Sequence, residues 1–201
     1  MNARLVLLSL FIAVVGCGES KQTQPAPYGR FEGEVVATWL PDGRTMKLTK
    51  DFAYVDPQQK RWQAPAGVVV DGASIPQPFW SLIGGPFEGQ YRSASVVHDV
   101  ACVEMKEPWE AVHLMFYEAC RCGGVEEAKA KLMYWAVYQF GPHWRPVSEV
   151  REKNGKRETV TRMVRMAPAP HPSEETVRKA KEYFANNNPS LEEIKTLKLP
   201  D

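Results

Sequence analysis

The sequence predicts an α+β fold: a small antiparallel β-sheet region, a three-helix core, then a β-hairpin and short C-terminal helices. Three observations predict it. Short apolar segments separated by turn residues fill the stretch from Phe31 to Val70, the pattern of short strands. Three long segments with helical apolar spacing then run from Tyr91 to Phe140. Asn154-Gly155 sits between alternating segments from Val147 to Met166, a hairpin signal.

The N-terminus reads as a signal. Met1 to Arg4 is a basic leader, and Leu5 to Val15 is apolar. That run is shorter than the roughly 20 residues needed to span a bilayer, so it reads as a signal peptide over 1–16. It ends Val14-Val15-Gly16-Cys17, which matches the bacterial lipobox. Cleavage there makes Cys17 the new N-terminus and the lipid (palmitate-class) attachment point. Gly18 after the cysteine resembles the enterobacterial outer-membrane sorting pattern. The expected location is the outer membrane, lipid-anchored, with the body facing the periplasm. Residues 17–29 are polar, with Pro25 and Pro27, and suit a flexible tether.

The body, 30–166, is expected as one domain. Phe31 to Leu40 and Arg44 to Thr49 read as strands around the turn Pro41-Asp42-Gly43. Phe52 to Val55 and Arg61 to Gln63 follow, and Val68 to Val70 ends at Asp71. Residues 71–90 carry Pro76, Pro78, Gly84, Gly85 and Pro86 and read as a long packed loop. The first helix, from about Tyr91 to Glu104, is apolar nearly all round, as a buried helix is. The second runs from Pro108 to Arg121 before Gly123-Gly124, and the third from Glu126 to Phe140 before Gly141-Pro142. Pro168, Pro170 and Pro172 link to a polar tail, 167–201, with helices at Ser173–Ala185 and Ser190–Lys198; Ser190 and Glu193 form a capping box.

The chain has 201 residues and a net charge of +1, which falls to zero without Arg4. That balance gives no reason to expect a nucleic-acid partner. Three cysteines remain beyond Cys17, an odd number, so a disulfide framework is not expected. They read as small buried hydrophobes.

The chemistry-bearing residues gather in one stretch. Asp71, Ser74 and the His98-Asp99 pair lie among apolar neighbours, where polar groups need partners. The short connection at Met105 to Glu107 makes the first two helices antiparallel. His98 lies eight residues before Lys106 and His113 seven after, so at about 1.5 Å per residue they share a height. His98, Asp99 and His113 are therefore a candidate set for a divalent metal such as zinc, with Asp71 or Cys102 as alternative third ligands. Asp71, Ser74, His98 and Asp99 are candidate catalytic groups. Ser74 with His98 as base is chemically allowed, but no Gly-x-Ser-x-Gly elbow is present and Ile75-Pro76 crowds the serine. The competing reading is structural: a His–Asp pair pinning the loop to the helices. Trp80, Trp135, Trp144, Tyr91 and Tyr134 read as core and rim; His143 and His171 read as surface, and Glu110 and Glu118 as a solvated face.

Several of these motifs together resemble a known family. Pro65-Ala66-Gly67, Asp71-Gly72-Ala73-Ser74-Ile75-Pro76, Trp80, Gly89, Tyr91, Ala94, His98-Asp99, Phe116 and Met133-Tyr134-Trp135-Ala136-Val137 look like domain of unknown function 1353, found in bacteria and their phages. The likeness covers about Leu48 to Trp144. It implies an α+β domain marked at Asp71, Ser74 and His98-Asp99, and it transfers no activity. Members carry an Ala-Asp pair on the second helix where this chain has Val112-His113. The resulting expectation is an envelope lipoprotein whose body is a non-catalytic module for an envelope polymer or protein partner. The alternative is a metal-assisted or acid/base hydrolase of a polymer such as peptidoglycan.

Overall fold

A glycine divides the first predicted strand between two sheets. In the computed structural model, which describes residues 27–72, 75–85, 87–153 and 156–199, β1 (Arg30–Glu32) and β2 (Ala37–Trp39) are separate strands. Gly33 between them has φ +83°, and a side chain there would press to 3.2 Å from the Asp51 carbonyl. The left-handed conformation redirects the chain. β1 pairs with β4 (Phe52–Val55), which pairs with β5 (Arg61–Ala64). β2 pairs with β3 (Met46–Leu48), which pairs with β6 (Val69–Val70). All pairings are antiparallel, as expected, and the β region divides into two three-stranded sheets. β4 is the middle strand of its sheet and is buried along its whole length.

The predicted loop after β6 holds short helical pieces, including α1 (Trp80–Ile83), and ends in a single turn at Gly89–Tyr91. Phe79, Ile83, Phe87 and Tyr91 are buried, so the segment packs as expected. Three helices follow: α2 (Arg92–Glu104), α3 (Trp109–Cys122) and α4 (Glu127–Phe140). From Ala94 to Val100 every residue of α2 is buried, because the sheets cover one side and α3 the other. Met105 ends α2 in the left-handed conformation at φ 49° and lets the chain reverse into α3. The Glu126 carboxylate caps α4 by accepting the N–H groups of Ala128 and Lys129 at 3.0 and 3.1 Å. No disulfide joins Cys102, Cys120 and Cys122; the first two are buried.

The hairpin is present as β7 (Trp144–Lys153) and β8 (Lys156–Arg165), in register from Trp144↔Arg165 to Lys153↔Lys156. Its predicted turn, Asn154-Gly155, lies outside the described residues. The ribbon is mostly exposed and is fastened at its base. Trp144 donates its indole N–H to the Glu107 carbonyl at 2.8 Å, and Arg165 donates to the Cys102 carbonyl at 2.8 Å. Among the described residues no helix is long and apolar enough to cross a membrane.

The tail differs from expectation. α5 (Glu174–Asn186) and α6 (Leu191–Thr196) form, and Ser190 and Glu193 make the predicted capping box. However, Val177, Ala180, Phe184 and Ile194 are fully buried in the same core as the central helices. Phe184 meets Trp135 of α4, whose indole N–H donates to the Leu197 carbonyl at 3.1 Å. The charged residues of α5 cover only its outer face, and they hid an apolar stripe at helical spacing. Truncating Phe184→Ala should cost about 3 kcal/mol, a fall of roughly 6–12 °C in Tm. A change below 2 °C in thermal unfolding would show that the tail is not part of the cooperative core.

Candidate functional site

The antiparallel α2–α3 pair builds the centre of the site. His98 on α2 and His113 on α3 meet as the height arithmetic predicts, with His98 Nε2 2.9 Å from His113 Nδ1. Cys102 lies one turn after His98 on the same helix face, with Sγ 3.6 Å from His98 Nε2. Ligand atoms of His98, Cys102 and His113 all lie within 4.8 Å of one another. Phe116 packs on the His98 ring at 4.6 Å between centroids, and Trp109 flanks His113 at 5.6 Å. His143, expected at the surface, is half-buried: it stacks on Trp109 at 3.9 Å and lies 5.8 Å from the His113 ring. The sequence signal for it was its place between the α4 stop at Gly141-Pro142 and the buried Trp144.

Burial sets the charge of this cluster. It pushes His98 down to about 3 and holds His113 well below its usual range, with His98 and His143 adding to the effect at His113. Both rings are therefore neutral at physiological pH, each with one N–H and one lone pair. The 2.9 Å contact uses one of each. His113 Nε2 has no hydrogen-bond partner; the Pro142 carbonyl is near enough to favour its protonation but is out of hydrogen-bond geometry.

Asp99 is not part of the histidine cluster, which corrects the predicted His98–Asp99–His113 ligand set. Successive helix residues point about 100° apart, so a side chain next to His98 faces elsewhere. Its Oδ2 accepts the backbone N–H groups of Asp71 at 3.2 Å and Gly72 at 2.6 Å. Its Oδ1 is buried with no partner. Burial, then the nearby Asp71 carboxylate, raises Asp99 to about 8, against the two backbone donors. Asp71 itself is exposed and pairs with Arg44 at 3.3 Å, a contact worth little in water. Asp71 and Asp99 thus meet at the strand-to-loop corner. Ser74 lies outside the described residues, as does Cys17.

Glu118 also departs from expectation. It is half-buried on α3, and burial, with a contribution from Asp56, raises it to about 7. Its folded value exceeds its unfolded one, so its contribution to stability is present at low pH and is lost as pH rises toward about 7. Glu118→Gln should therefore stabilise the fold at pH 8 by about 1 kcal/mol, discounted for partial exposure, and change little at pH 4. Melting curves at the two pH values test this; equal shifts would remove Glu118 as the cause.

Residues 46–137 match the family model described as "Protein of unknown function (DUF1353)". Over that stretch the chain is similar to the family. The stretch contains Asp71, His98, Asp99, Cys102 and His113, whereas His143, the β7–β8 ribbon and the tail helices lie beyond the match. The chain is similar to uncharacterized protein y4jT of Sinorhizobium fredii (strain NBRC 101917 / NGR234), 42% identical over 133 residues, covering 65% of this chain and 40% of the relative. It is also similar to uncharacterized protein y4iH of the same strain, 39% identical over 115 residues, covering 57% and 48%. The chain thus spans less than half the length of each relative. No solved structure matches the fold significantly.

Proposed function

We propose that this protein is a lipid-anchored envelope protein whose body is a non-catalytic binding or scaffold module for an envelope polymer or protein partner. The observation that carries the reading is burial. His98 and His113 are 0% exposed and Asp99 is 5% exposed. Among the described residues, surface clefts lie at β5 and the α2–α3 turn, between α1 and α5, and beside Trp39 and Phe87; His98, Asp99 and His113 line none of these. Groups sealed in this way hold the fold together but cannot reach a polymer. The lipobox ending at Cys17 supports the anchor, and the near-neutral charge gives no support to a nucleic-acid partner. In cell fractionation the wild type should sediment with outer membranes and Cys17→Ser should be soluble; a variant still in the membrane would refute the lipid anchor.

One observation favours hydrolysis as a second reading. Asp99 Oδ1 has no partner, and burial and then the nearby Asp71 carboxylate favour the protonated acid, a form suited to acid/base chemistry. Purified full chain incubated with peptidoglycan sacculi separates the two. The scaffold reading expects no soluble fragments. Release that disappears in Asp99→Asn would replace it with a hydrolase.

A further inference from the structure

We propose that His98, Cys102 and His113 are a ligand set for a divalent cation of the zinc class, held between α2 and α3. This inference is independent of the anchor and of the scaffold reading. It rests on donor type and spacing.

The donors are two imidazoles and a thiol. Such a set favours zinc and its transition-metal neighbours over magnesium or calcium, which prefer oxygen. His98 and Cys102 are one helical turn apart on one face of α2 and give a chelating pair. The antiparallel α3 supplies His113 at the same height.

The distances fit a closed-up tetrahedral site. Metal–nitrogen bonds of about 2.05 Å and a metal–sulfur bond of about 2.3 Å separate nitrogen from sulfur by about 3.6 Å, and two nitrogens by about 3.3 Å. The observed Sγ to His98 Nε2 separation is 3.6 Å, and the two nitrogens are 2.9 Å apart. Binding therefore requires the nitrogens to part by about 0.4 Å and the His98 ring to turn toward the thiol, because Sγ lies almost as close to His98 Nδ1, at 3.9 Å, as to Nε2.

The surroundings of His113 suit the tautomer that such a site needs. His113 is wholly buried, and its Nε2 has no partner. A metal on Nδ1 requires the ring proton to sit on Nε2, next to the Pro142 carbonyl. A metal-bound imidazole commonly donates its other N–H to such a carbonyl, which fixes tautomer and ring orientation. Phe116 and Trp109 supply an apolar wall around the rings. Three protein ligands leave a fourth position for a water that must enter the buried site with the ion. Binding displaces the Cys102 thiol proton to solvent, so the complex forms as thiolate and two neutral imidazoles.

The test uses the full chain in detergent, stripped with chelator and titrated with cobalt(II). The expected result is one equivalent bound, with the visible bands of a tetrahedral ion and a thiolate charge-transfer band, both abolished by zinc. Zinc should also raise Tm reversibly. Cys102→Ser should lose the charge-transfer band and weaken affinity by more than the roughly 10–100-fold typical of losing an outer-shell partner. Cys120→Ala, a buried cysteine outside the cluster, should bind as the wild type does. A folded wild type with neither tetrahedral spectrum nor zinc-dependent Tm overturns the proposal. So does a spectrum lost in Asp99→Asn and kept in Cys102→Ser. Where a variant fails to fold, the absence of a charge-transfer band in the folded wild type still overturns the proposal.

Discussion

Replacing His98 with alanine should destabilise the metal-free protein by about 4 kcal/mol, a fall of roughly 8–16 °C in Tm. Two costs combine. The imidazole is fully buried and packs on Phe116, so its removal leaves a cavity that the helix pair cannot close freely. It is also the partner of His113 Nδ1, and His113 Nε2 already has none. The variant therefore strands a whole imidazole in the interior, and each unpaired buried polar group costs about 1–3 kcal/mol. Urea unfolding measures the loss directly. A change below about 1 kcal/mol would mean that the ring neither packs nor bonds as described.

Asp99→Ala should cost about 3 kcal/mol, whereas Asp99→Asn should stay within about 1 kcal/mol of wild type. The alanine variant removes the acceptor for the Asp71 and Gly72 N–H groups, the second of which is buried. The asparagine variant keeps an oxygen where Oδ2 stands and changes little in volume. The contrast isolates the acceptor from the charge. Hydrogen exchange adds a local readout: the Gly72 amide should lose protection in the alanine variant and keep it in the asparagine one. Equal losses in both variants would show that the carboxylate charge, not the acceptor, secures the corner.

Both variants probe residues that the sequence already marked, yet their partners were legible to different degrees. The meeting of His98 and His113 followed from helix rise and a short connection, which are local properties. The direction of Asp99 was half legible. Its angle from His98 is helical geometry, but its partners, Asp71 and Gly72, directly follow β6, which packs against α2 from far along the chain. Phe31 to Leu40 read as one strand because its apolar alternation is continuous, whereas Gly33 divides it between sheets that only long-range pairing defines. The stripe Val177, Ala180 and Phe184 has helical spacing, but the charges around it in α5 made the segment read as polar. Its docking on α4 was not, because an amphipathic face says that something covers it and not what. His143 reached the histidine cluster through the fold of the segment after α4, a rigid-body placement with no local signature.

Secondary structure, the helix hairpin and the height of its two histidines were thus written in the residues themselves, since backbone propensity and helix geometry act over a few positions. Tertiary packing decided which carboxylate faces which backbone, which cysteine joins the histidines and whether the charged tail belongs to the core. Each of those depends on burial by distant segments, and burial determines the partner a polar group must find.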